Sequence, residues 1–210
     1  MTTLAHDDPS GTNGTTLRSY EARTDAYIGG TSHVVAGPSK DWIDAALDGL
    51  SPASAILELG SAFGRDAAYI ASRGFAVECT DAVPSFVSHL QERGFRARLL
   101  NVLTDQVEGA YDLILANAVL LHFTRQEFAS VLGRLIRAAK PGGRIAFSLK
   151  RGHGESWSND KLGAPRYFCY WEPDDLRPIL DACGFAHWNI EEAQTGRAHA
   201  AWLYVIATPP

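Results

Sequence analysis

Short apolar segments alternate with amphipathic segments over most of the chain. Short apolar runs bounded by glycine or polar residues indicate buried strands, whereas apolar residues recurring every three or four positions indicate helices. Such alternation predicts an α/β fold with a doubly wound, mostly parallel sheet and helices on both faces. The predicted strands are 55–59, 75–80, 95–100, 111–116 and 144–149, and the predicted helices are 17–28, 38–50, 65–73, 84–93, 124–139 and 173–183.

The two ends of the chain depart from this alternation. Residues 1–16 are rich in Thr, Gly, Asp and Ser, so we expect a flexible tail before a single domain over 17–210. Near the other end, strand-like segments at 187–192 and 199–207 are separated only by 193–198. That link is too short for a helical crossover, which predicts an antiparallel C-terminal hairpin and a seven-stranded sheet.

Composition and charge narrow the class of protein. The 210 residues are 46% hydrophobic and 20% charged, as in globular domains with a proper core. A net charge of -5 disfavours nucleic acid as the main partner. Neither a long apolar segment nor a signal-like N-terminus is present, and the three cysteines lack paired spacing. We therefore expect a cytoplasmic protein without a membrane partner, as a monomer or a homodimer.

A glycine-containing loop follows the first predicted strand. Residues 56–65 read ILELGSAFGR, which is a strand with an acid, a tight loop and the start of a helix. Glycine lets backbone approach a ligand closely, and a helix N-terminus offers unpaired N–H groups. Asp81 follows at the end of the next strand, where a carboxylate binds ribose hydroxyls in nucleoside-binding folds. Alternatively, Asp81 caps the next helix.

These motifs, in this order, resemble those of class I S-adenosylmethionine-dependent methyltransferases, from about Tyr20 to the end of the chain. One departure is Ala62, which stands where the family usually has a glycine. The resemblance implies S-adenosylmethionine as methyl donor, S-adenosylhomocysteine as product and a small molecule as acceptor. The motifs that carry it are Glu58–Gly64, Asp81, Tyr111–Ile114 with Asn117 and Leu121–His122, and Lys140–Gly143.

The resemblance also implies the residues that bind the donor. Backbone near Gly60 lines the methionine tail and ribose, while Glu58 either orients this loop or is a structural acid. Asp81 binds the ribose diol. An amide oxygen accepts the same hydrogen bond as a carboxylate, so Asn101 is expected at adenine, with Asp105 as the alternative. The full expected set is Tyr20, Tyr27, Glu58, Gly60, Ser61, Ala62, Gly64, Arg65, Asp81, Ala82, Asn101, Val102 and Asn117.

Catalysis of methyl transfer requires mainly alignment of the reacting atoms and exclusion of water. A general base is needed only where the acceptor loses a proton. His122, just after the fourth strand of the parallel series, is the candidate base, and its alternative role is that of a hydrogen-bonded structural histidine. Tyr20 and Tyr27 lie in segment 17–37, which either closes over the donor as a lid or packs its aromatics into the core.

The segment 151–171 is the expected wall of the acceptor site. Its aromatic residues suit a flat or apolar substrate, and its charged residues suit a polar group. Alternatively, the aromatics at its end pack the following helix onto the sheet. The spacings of His and Cys match no ligand pattern, so no metal is expected. The residues expected to contact the acceptor are His153, Glu155, Arg166 and Tyr167.

Three functions are compatible with the sequence. The first is a methyltransferase acting on an oxygen or nitrogen of a small molecule. The second is an NAD(P)-dependent oxidoreductase, but Gly60 and Gly64 stand at the wrong interval for its glycine motif. The third is a non-catalytic cofactor-binding domain of the same fold, because fold alone does not establish activity.

Overall fold

The structure, a computed structural model, describes residues 11–195 and 200–210. Its helices are α1 (Thr12–Ala22), α2 (Thr24–Gly29), α3 (Pro38–Leu47), α4 (Arg65–Ser72), α5 (Pro84–Glu92), α6 (Arg125–Ala138) and α7 (Pro173–Ala182). Its strands are β1 (Ile56–Leu59), β2 (Val77–Asp81), β3 (Ala97–Leu99), β4 (Tyr111–Ala116), β5 (Ala139–Lys150), β6 (Glu155–Ser158), β7 (Arg166–Cys169), β8 (His187–Thr195) and β9 (Ala200–Thr208). A short 3-10 helix, Leu120–His122, follows β4.

Seven strands form one sheet in the order β3-β2-β1-β4-β5-β9-β8. Strands β1 to β5 are parallel, and β9 lies antiparallel between β5 and β8. The last pair runs in register to Thr195 opposite Ala200. The predicted mostly parallel seven-stranded sheet with a C-terminal antiparallel hairpin is therefore confirmed. Residues 196–199, part of the predicted link, lie outside the described residues.

Helices cover both faces of the sheet. On β4, Ile114 belongs to the apolar cluster that contains Phe128 of α6, whereas Leu113 belongs to the cluster that contains Ile43 of α3. Successive side chains of a strand point to opposite faces, so these clusters are the two faces of one layered core. Among the described residues, no helix is long and apolar enough to cross a membrane.

The predicted flexible tail at 1–16 is wrong for residues 12–16, which form the first part of α1. The helix is held by a buried polar contact, because Thr16 Oγ1 accepts a hydrogen bond from Tyr167 N at 3.0 Å. The polar composition of this segment does not indicate a helix, because α1 docks on β7 through hydrogen bonds rather than apolar contacts. Residues 1–10 lie outside the described part of the chain.

Other segments also differ from the sequence-based expectation. The predicted helix 17–28 is part of two helices, α1 and α2, which meet at a single non-helical residue. Segment 151–171 contains the antiparallel hairpin of β6 and β7, which the sequence reading missed. The strand predicted over 144–149 begins earlier, at Ala139, and its register with β4 shifts between Tyr111 and Leu113.

Candidate active site

Two cavities open near the carboxyl ends of the parallel strands. The first, the loop cavity, has about 710 Å³ of empty space beside the turns after β1, β2 and β4. The second, the hairpin cavity, has about 1170 Å³ and extends from this edge to α2 and the β6–β7 hairpin. Ligands of doubly wound folds bind at this edge of the sheet. The residues that line both cavities are Tyr20, Tyr27, Asn117, Ala118 and His122.

The loop cavity brings together most of the residues expected to bind the donor. They come from α1, α2 and the turns after four strands, so no single segment of the chain forms the cavity. The expected donor-binding residues that line it are Tyr20, Tyr27, Gly60, Ala62, Asp81, Ala82, Asn101, Val102 and Asn117.

Asp81 ends β2, and its buried carboxylate faces the loop after β1. Its Oδ2 accepts a hydrogen bond from Ala62 N at 2.9 Å, and its Oδ1 accepts one from Val83 N at 2.9 Å. Burial raises the pKa of Asp81 to about 6. Each carboxylate oxygen keeps a further lone pair for a ligand hydroxyl. Asp81 can therefore accept the hydrogen bond from Val83 N at the start of α5 and still bind ribose hydroxyls.

Two alanines beside the loop cavity have left-handed backbone conformations. Ala62 has φ 48° and Ala118 has φ 59°. Such a conformation costs a non-glycine residue about 1–2 kcal/mol. Gly60 has φ 62°, and a Cβ there would overlap the side chain of Val119. Ala62 therefore has the left-handed backbone conformation that glycine adopts without strain. The loop keeps its shape even though alanine stands where the family usually has glycine.

Four expected donor-binding residues do not line the loop cavity. Glu58 and Ser61 are buried beneath the loop, and burial followed by the nearby Asp66 raises the pKa of Glu58. A Cβ at Gly64 would overlap core side chains. Arg65 lines the hairpin cavity instead, with its Nε 2.6 Å from Asp66 Oδ1. This placement favours the structural alternative for Glu58.

Asn117 is fixed by hydrogen bonds on both sides of its amide. Its Nδ2 donates to Asp66 Oδ2 at 2.7 Å, and its Oδ1 accepts from Ser148 Oγ at 2.6 Å. Ser148 Oγ in turn accepts a hydrogen bond from Ala118 N at 2.8 Å. This chain of bonds joins α4, the turn after β4 and β5, and it holds the strained Ala118 in place.

Asn101 lines the loop cavity, whereas Asp105, the alternative at this position, does not. Asp105 Oδ2 instead accepts a hydrogen bond from Asn101 N at 2.8 Å. The Asn101 side chain donates to Asn13 Oδ1 at 2.9 Å and accepts from Leu103 N at 3.1 Å. Since an amide oxygen has two lone pairs, Asn101 can still accept another hydrogen bond.

His122 connects the end of the 3-10 helix to α1 and β7. Its Nδ1 lies 2.6 Å from Tyr167 O, and its Nε2 lies 3.0 Å from Tyr20 Oη. A carbonyl oxygen only accepts, so Nδ1 carries the proton and Nε2 accepts from the Tyr20 hydroxyl. Burial lowers the pKa of His122 to about 4, helped by the nearby cations Arg166 and Lys150. The ring is therefore neutral at pH 7.

Only Arg166, of the four residues expected to contact the acceptor, lines the hairpin cavity. The side chain of His153 is 84% exposed, with its Nε2 3.7 Å from Glu172 Oε1. Glu155 is exposed on β6. Tyr167 alternates with Arg166 along β7 and so faces away from the cavity. The structure therefore does not bring His153, Glu155 and Tyr167 to the hairpin cavity.

Several residues that line the cavities are not among those expected from the sequence. Asn13 lies in the polar segment that predicts a flexible tail, and Lys150 is the polar last residue of a strand that is otherwise predicted from its apolar residues. The signal for Lys150 was its position at the carboxyl end of a parallel strand. The other missed residues include Thr16, Leu17, Phe86 and Val119 in the loop cavity and Lys161, Phe168, Trp202 and Tyr204 in the hairpin cavity.

Comparison with known proteins gives a domain match over part of the chain and a shared fold. Residues 57–145 match the family model described as a methyltransferase domain. No curated protein sequence matches the chain. One similar solved structure, the DhpI-SAM-HEP complex, has TM-score 0.69 and 20% identity, and the alignment covers 95% of this chain and 99% of that one.

Two further solved structures have the same fold. The Burkholderia thailandensis 1,6-didemethyltoxoflavin-N1-methyltransferase, with bound 1,6-didemethyltoxoflavin and S-adenosylhomocysteine, has TM-score 0.66 and 23% identity, covering 92% of this chain and 84% of that one. The magnesium protoporphyrin IX methyltransferase from Synechocystis, with S-adenosylhomocysteine, has TM-score 0.71 and 17% identity, covering 92% and 97%.

The matched residues contain β1, the loop after it, Asp81, β4 and the start of β5, which form most of the loop cavity. At these identities the solved structures establish the fold alone, and the family model matches less than half of the chain. The methyltransferase-domain match over residues 57–145 and the fold shared with solved methyltransferases agree with the resemblance to class I S-adenosylmethionine-dependent methyltransferases.

Proposed function

We propose that the chain transfers the methyl group of S-adenosylmethionine to an oxygen or nitrogen atom of a small molecule. In this proposal the donor binds in the loop cavity and the acceptor in the hairpin cavity. The observation that carries it is that the cavities meet at five shared residues, among them Tyr20, Asn117 and His122. Adjacent sites with a common wall are what direct transfer between two bound molecules requires.

The residues of the loop cavity suit the chemistry of the donor. Asp81 offers carboxylate oxygens for a ribose diol, and Asn101 offers an amide for adenine. Apolar side chains such as Leu100 and Val102 suit the faces of a purine ring. A side chain at Gly60 would overlap Val119, so glycine there lets Val119 pack closely on the backbone of the loop that lines the cavity.

The protein itself positions the two substrates, encloses the reacting atoms and transfers protons. When bound, S-adenosylmethionine supplies an electrophilic methyl group. Tyr20 and Tyr27 stand at the junction of the cavities with their rings 5.3 Å apart, edge to face. Tyr27 also packs against Phe63 and Phe86. These aromatic contacts support the lid role of α1 and α2, which limits the access of water to the reacting atoms.

We further propose that His122 receives the acceptor's proton through Tyr20. An acceptor hydroxyl or amine donates to Tyr20 Oη, and Tyr20 passes its own proton to His122 Nε2. The neutral imidazole with Nδ1 bound to Tyr167 O has the tautomer that this transfer needs. Its lowered pKa makes it a weak base, which suits a proton that becomes acidic during methyl transfer.

The similar structures support a small acceptor. They include a methyltransferase crystallised with 1,6-didemethyltoxoflavin and another named for magnesium protoporphyrin IX. The oxidoreductase alternative has no support from the family match. A domain that binds the donor without turning it over would satisfy the fold equally, so the deciding experiment is turnover.

The experiment is a screen for S-adenosylhomocysteine formation by the full chain, supplied with S-adenosylmethionine and a panel of small hydroxylated and aminated compounds. We expect at least one compound to raise product formation above the compound-free rate, with the methylated product confirmed by mass spectrometry. His122→Asn, which keeps a side-chain N–H for Tyr167 O, should lower that rate. Absence of turnover across the panel, despite donor binding, would favour the non-catalytic alternative.

We also propose a cytoplasmic location and a monomeric or homodimeric state, without nucleic acid as partner. The support is the net charge of -5 and the three cysteines, all of which are free thiols. Light scattering of the purified chain tests the assembly state. Masses above that of a dimer would contradict it.

A further inference from the structure

Besides Arg65, which pairs with Asp66, three cations converge in the hairpin cavity. Lys150 comes from the end of β5, Lys161 from the loop between β6 and β7, and Arg166 from the first position of β7. Within residues 11–195 and 200–210, none of them has a carboxylate within 4.0 Å, although eleven other ion pairs occur there. Asp160 is the one acid lining the cavity among the described residues.

Arg166 is the most deeply placed of the three. The residue is only 6% exposed, and its Nη1 donates to Tyr20 Oη at 3.3 Å. Its Nε, also buried, has no hydrogen-bond partner in the described structure. The guanidinium lies between the rings of Tyr20 and Phe168, 5.7 and 5.1 Å from their centroids. A buried charge with an unused N–H is costly unless a partner occupies the site.

The two lysines approach the same space across aromatic faces. Lys150 Nζ lies 4.0 Å from the centroid of Phe168, and Lys161 Nζ lies 4.1 Å from that of Tyr27. Burial, followed by the charge of Arg166, lowers the pKa of both amines, that of Lys161 to about 8. The positive charge of Arg166 thus disfavours the charged form of both lysines, which indicates that the three cations lie close enough to repel one another. An anion placed among them would relieve this repulsion.

The donor adds to this imbalance. S-adenosylmethionine carries a positive sulfonium, and under the proposed function it would bind in the loop cavity, which shares a wall with the hairpin cavity. The donor's own carboxylate offsets only one of its two positive charges, so the bound donor adds positive charge. A neutral acceptor would not offset that charge, whereas an anionic acceptor would. The planar fork of a guanidinium also matches the paired oxygens of carboxylate and phosphate groups.

We infer that the methyl acceptor is an anion whose carboxylate or phosphate-type group binds between Arg166, Lys150 and Lys161. This inference rests on the proposed function, which assigns the acceptor to the hairpin cavity. The aromatic residues Phe168 and Trp202 line the same cavity, where they would contact the rest of the acceptor. The acceptor class is therefore an oxyanion with an apolar or aromatic body that carries the methylated oxygen or nitrogen.

The test is binding of matched fragments to the full chain saturated with S-adenosylhomocysteine, measured by saturation-transfer NMR titration. The fragments are benzoate, phenyl phosphate and benzamide, the last a neutral counterpart of benzoate. We expect one or both anions to bind about tenfold more tightly than benzamide. The preferred anion then distinguishes a carboxylate acceptor from a phosphate-type one.

The double variant Lys150→Gln, Lys161→Gln should lower anion affinity by about tenfold and leave benzamide binding unchanged. The matched control is Lys140→Gln, at the opposite end of β5, where the amine pairs with Asp112 at the surface. It should leave anion binding unchanged. The inference is wrong if neither anion binds more tightly than benzamide, or if the double variant binds the anions as well as the unmodified chain does.

A separate titration with S-adenosylhomocysteine alone distinguishes the two proposals. If that product binds and the anions do not, the acceptor class is wrong and the methyltransferase assignment stands. If it fails to bind, the proposed function fails. Anion titration of the donor-free chain then tests the cationic site by itself.

Discussion

The hydroxyl of Tyr20 lies 3.0 Å from Nε2 of His122, although the two residues are 102 positions apart in the chain. Their rings meet edge to face with centroids 5.5 Å apart. Because Tyr167 O fixes the proton on Nδ1, Nε2 is the acceptor in this pair. The contact ties α1 to the 3-10 helix after β4, and it lies at the junction of the two cavities, where we propose the proton path.

Tyr20→Phe tests this path. The variant keeps the ring that packs against Tyr27 and removes the hydroxyl between the acceptor and His122. With an acceptor that must lose a proton, we expect kcat to fall by about 100-fold, a usual magnitude for acid–base catalysis. Affinity for S-adenosylhomocysteine, measured by calorimetry, should change little because the Tyr20 ring still lines the loop cavity.

Tyr27→Phe is the matched control, since Tyr27 lines both cavities but does not contact His122 in the described structure. Its kcat should remain within a few fold of the unmodified enzyme. Equal losses in the two variants would indicate that Tyr20 acts by packing rather than by proton transfer.

Ala62→Gly should stabilise the protein. Ala62 has φ 48°, and replacing it by glycine removes a left-handed strain of about 1 kcal/mol. The control Ala68→Gly lies in the interior of α4, where glycine should instead destabilise by about 1 kcal/mol. Urea unfolding of both variants measures the two shifts. A destabilised Ala62→Gly variant would show that the left-handed conformation is not a significant strain.

Gly60→Ala should destabilise the protein by about 2 kcal/mol, because it combines a left-handed backbone with an overlap on Val119. The second variant, Gly60→Ala with Val119→Ala, removes the overlap and should recover part of this loss beyond the additive expectation. A double-mutant cycle by chemical denaturation measures the coupling. Strict additivity of the two substitutions would contradict the predicted contact.

His122 should make stability depend on pH below neutrality. Burial lowers the pKa of its folded form to about 4, below the ordinary value of 6.5. As pH falls through 6.5 the unfolded chain takes up the proton first, so stability is lost progressively down to about pH 4. Denaturation at pH 7 and pH 5 should show a smaller acid loss for His122→Asn than for the unmodified chain.

Asp81 shifts stability in the opposite sense, because burial raises its pKa to about 6 and the folded state then binds a proton first on acidification. This contribution is present in both chains, so it cancels in the comparison. A parallel pH dependence in the two chains would mean that His122 does not titrate below its ordinary range.

The fold could be predicted where apolar runs determine it. Buried strands such as β4 are almost continuously apolar. The helix predicted over 124–139 is α6, which begins with a capping box of Thr124 and Glu127. The first turns of α1 could not be predicted, because Thr16 docks through a hydrogen bond to β7 rather than through apolar burial. The β6–β7 hairpin could not be predicted, because both strands have only four residues and β6, which reads ESWS, is mostly polar.

The candidate site divides in the same way. Asp81 and Gly60 follow strands, so topology alone brings them to one edge of the sheet. The contents of the hairpin cavity depend instead on which face of β7 points inward. Alternation along that strand turns Arg166 toward the cavity and Tyr167 away from it. The sequence of β7 alone does not indicate which of its two faces points toward the cavity, because this depends on how β7 pairs with β6.

The central claim is that the loop cavity binds S-adenosylmethionine and its product through Asp81. Calorimetric titration of the unmodified chain and of Asp81→Asn with S-adenosylhomocysteine, and separately with NAD, tests it most directly. We expect the unmodified chain to bind the homocysteine product and not NAD, and Asp81→Asn to bind the product about tenfold more weakly while remaining folded. Binding of NAD without binding of S-adenosylhomocysteine, or equal affinity of the two chains for the product, would contradict the account.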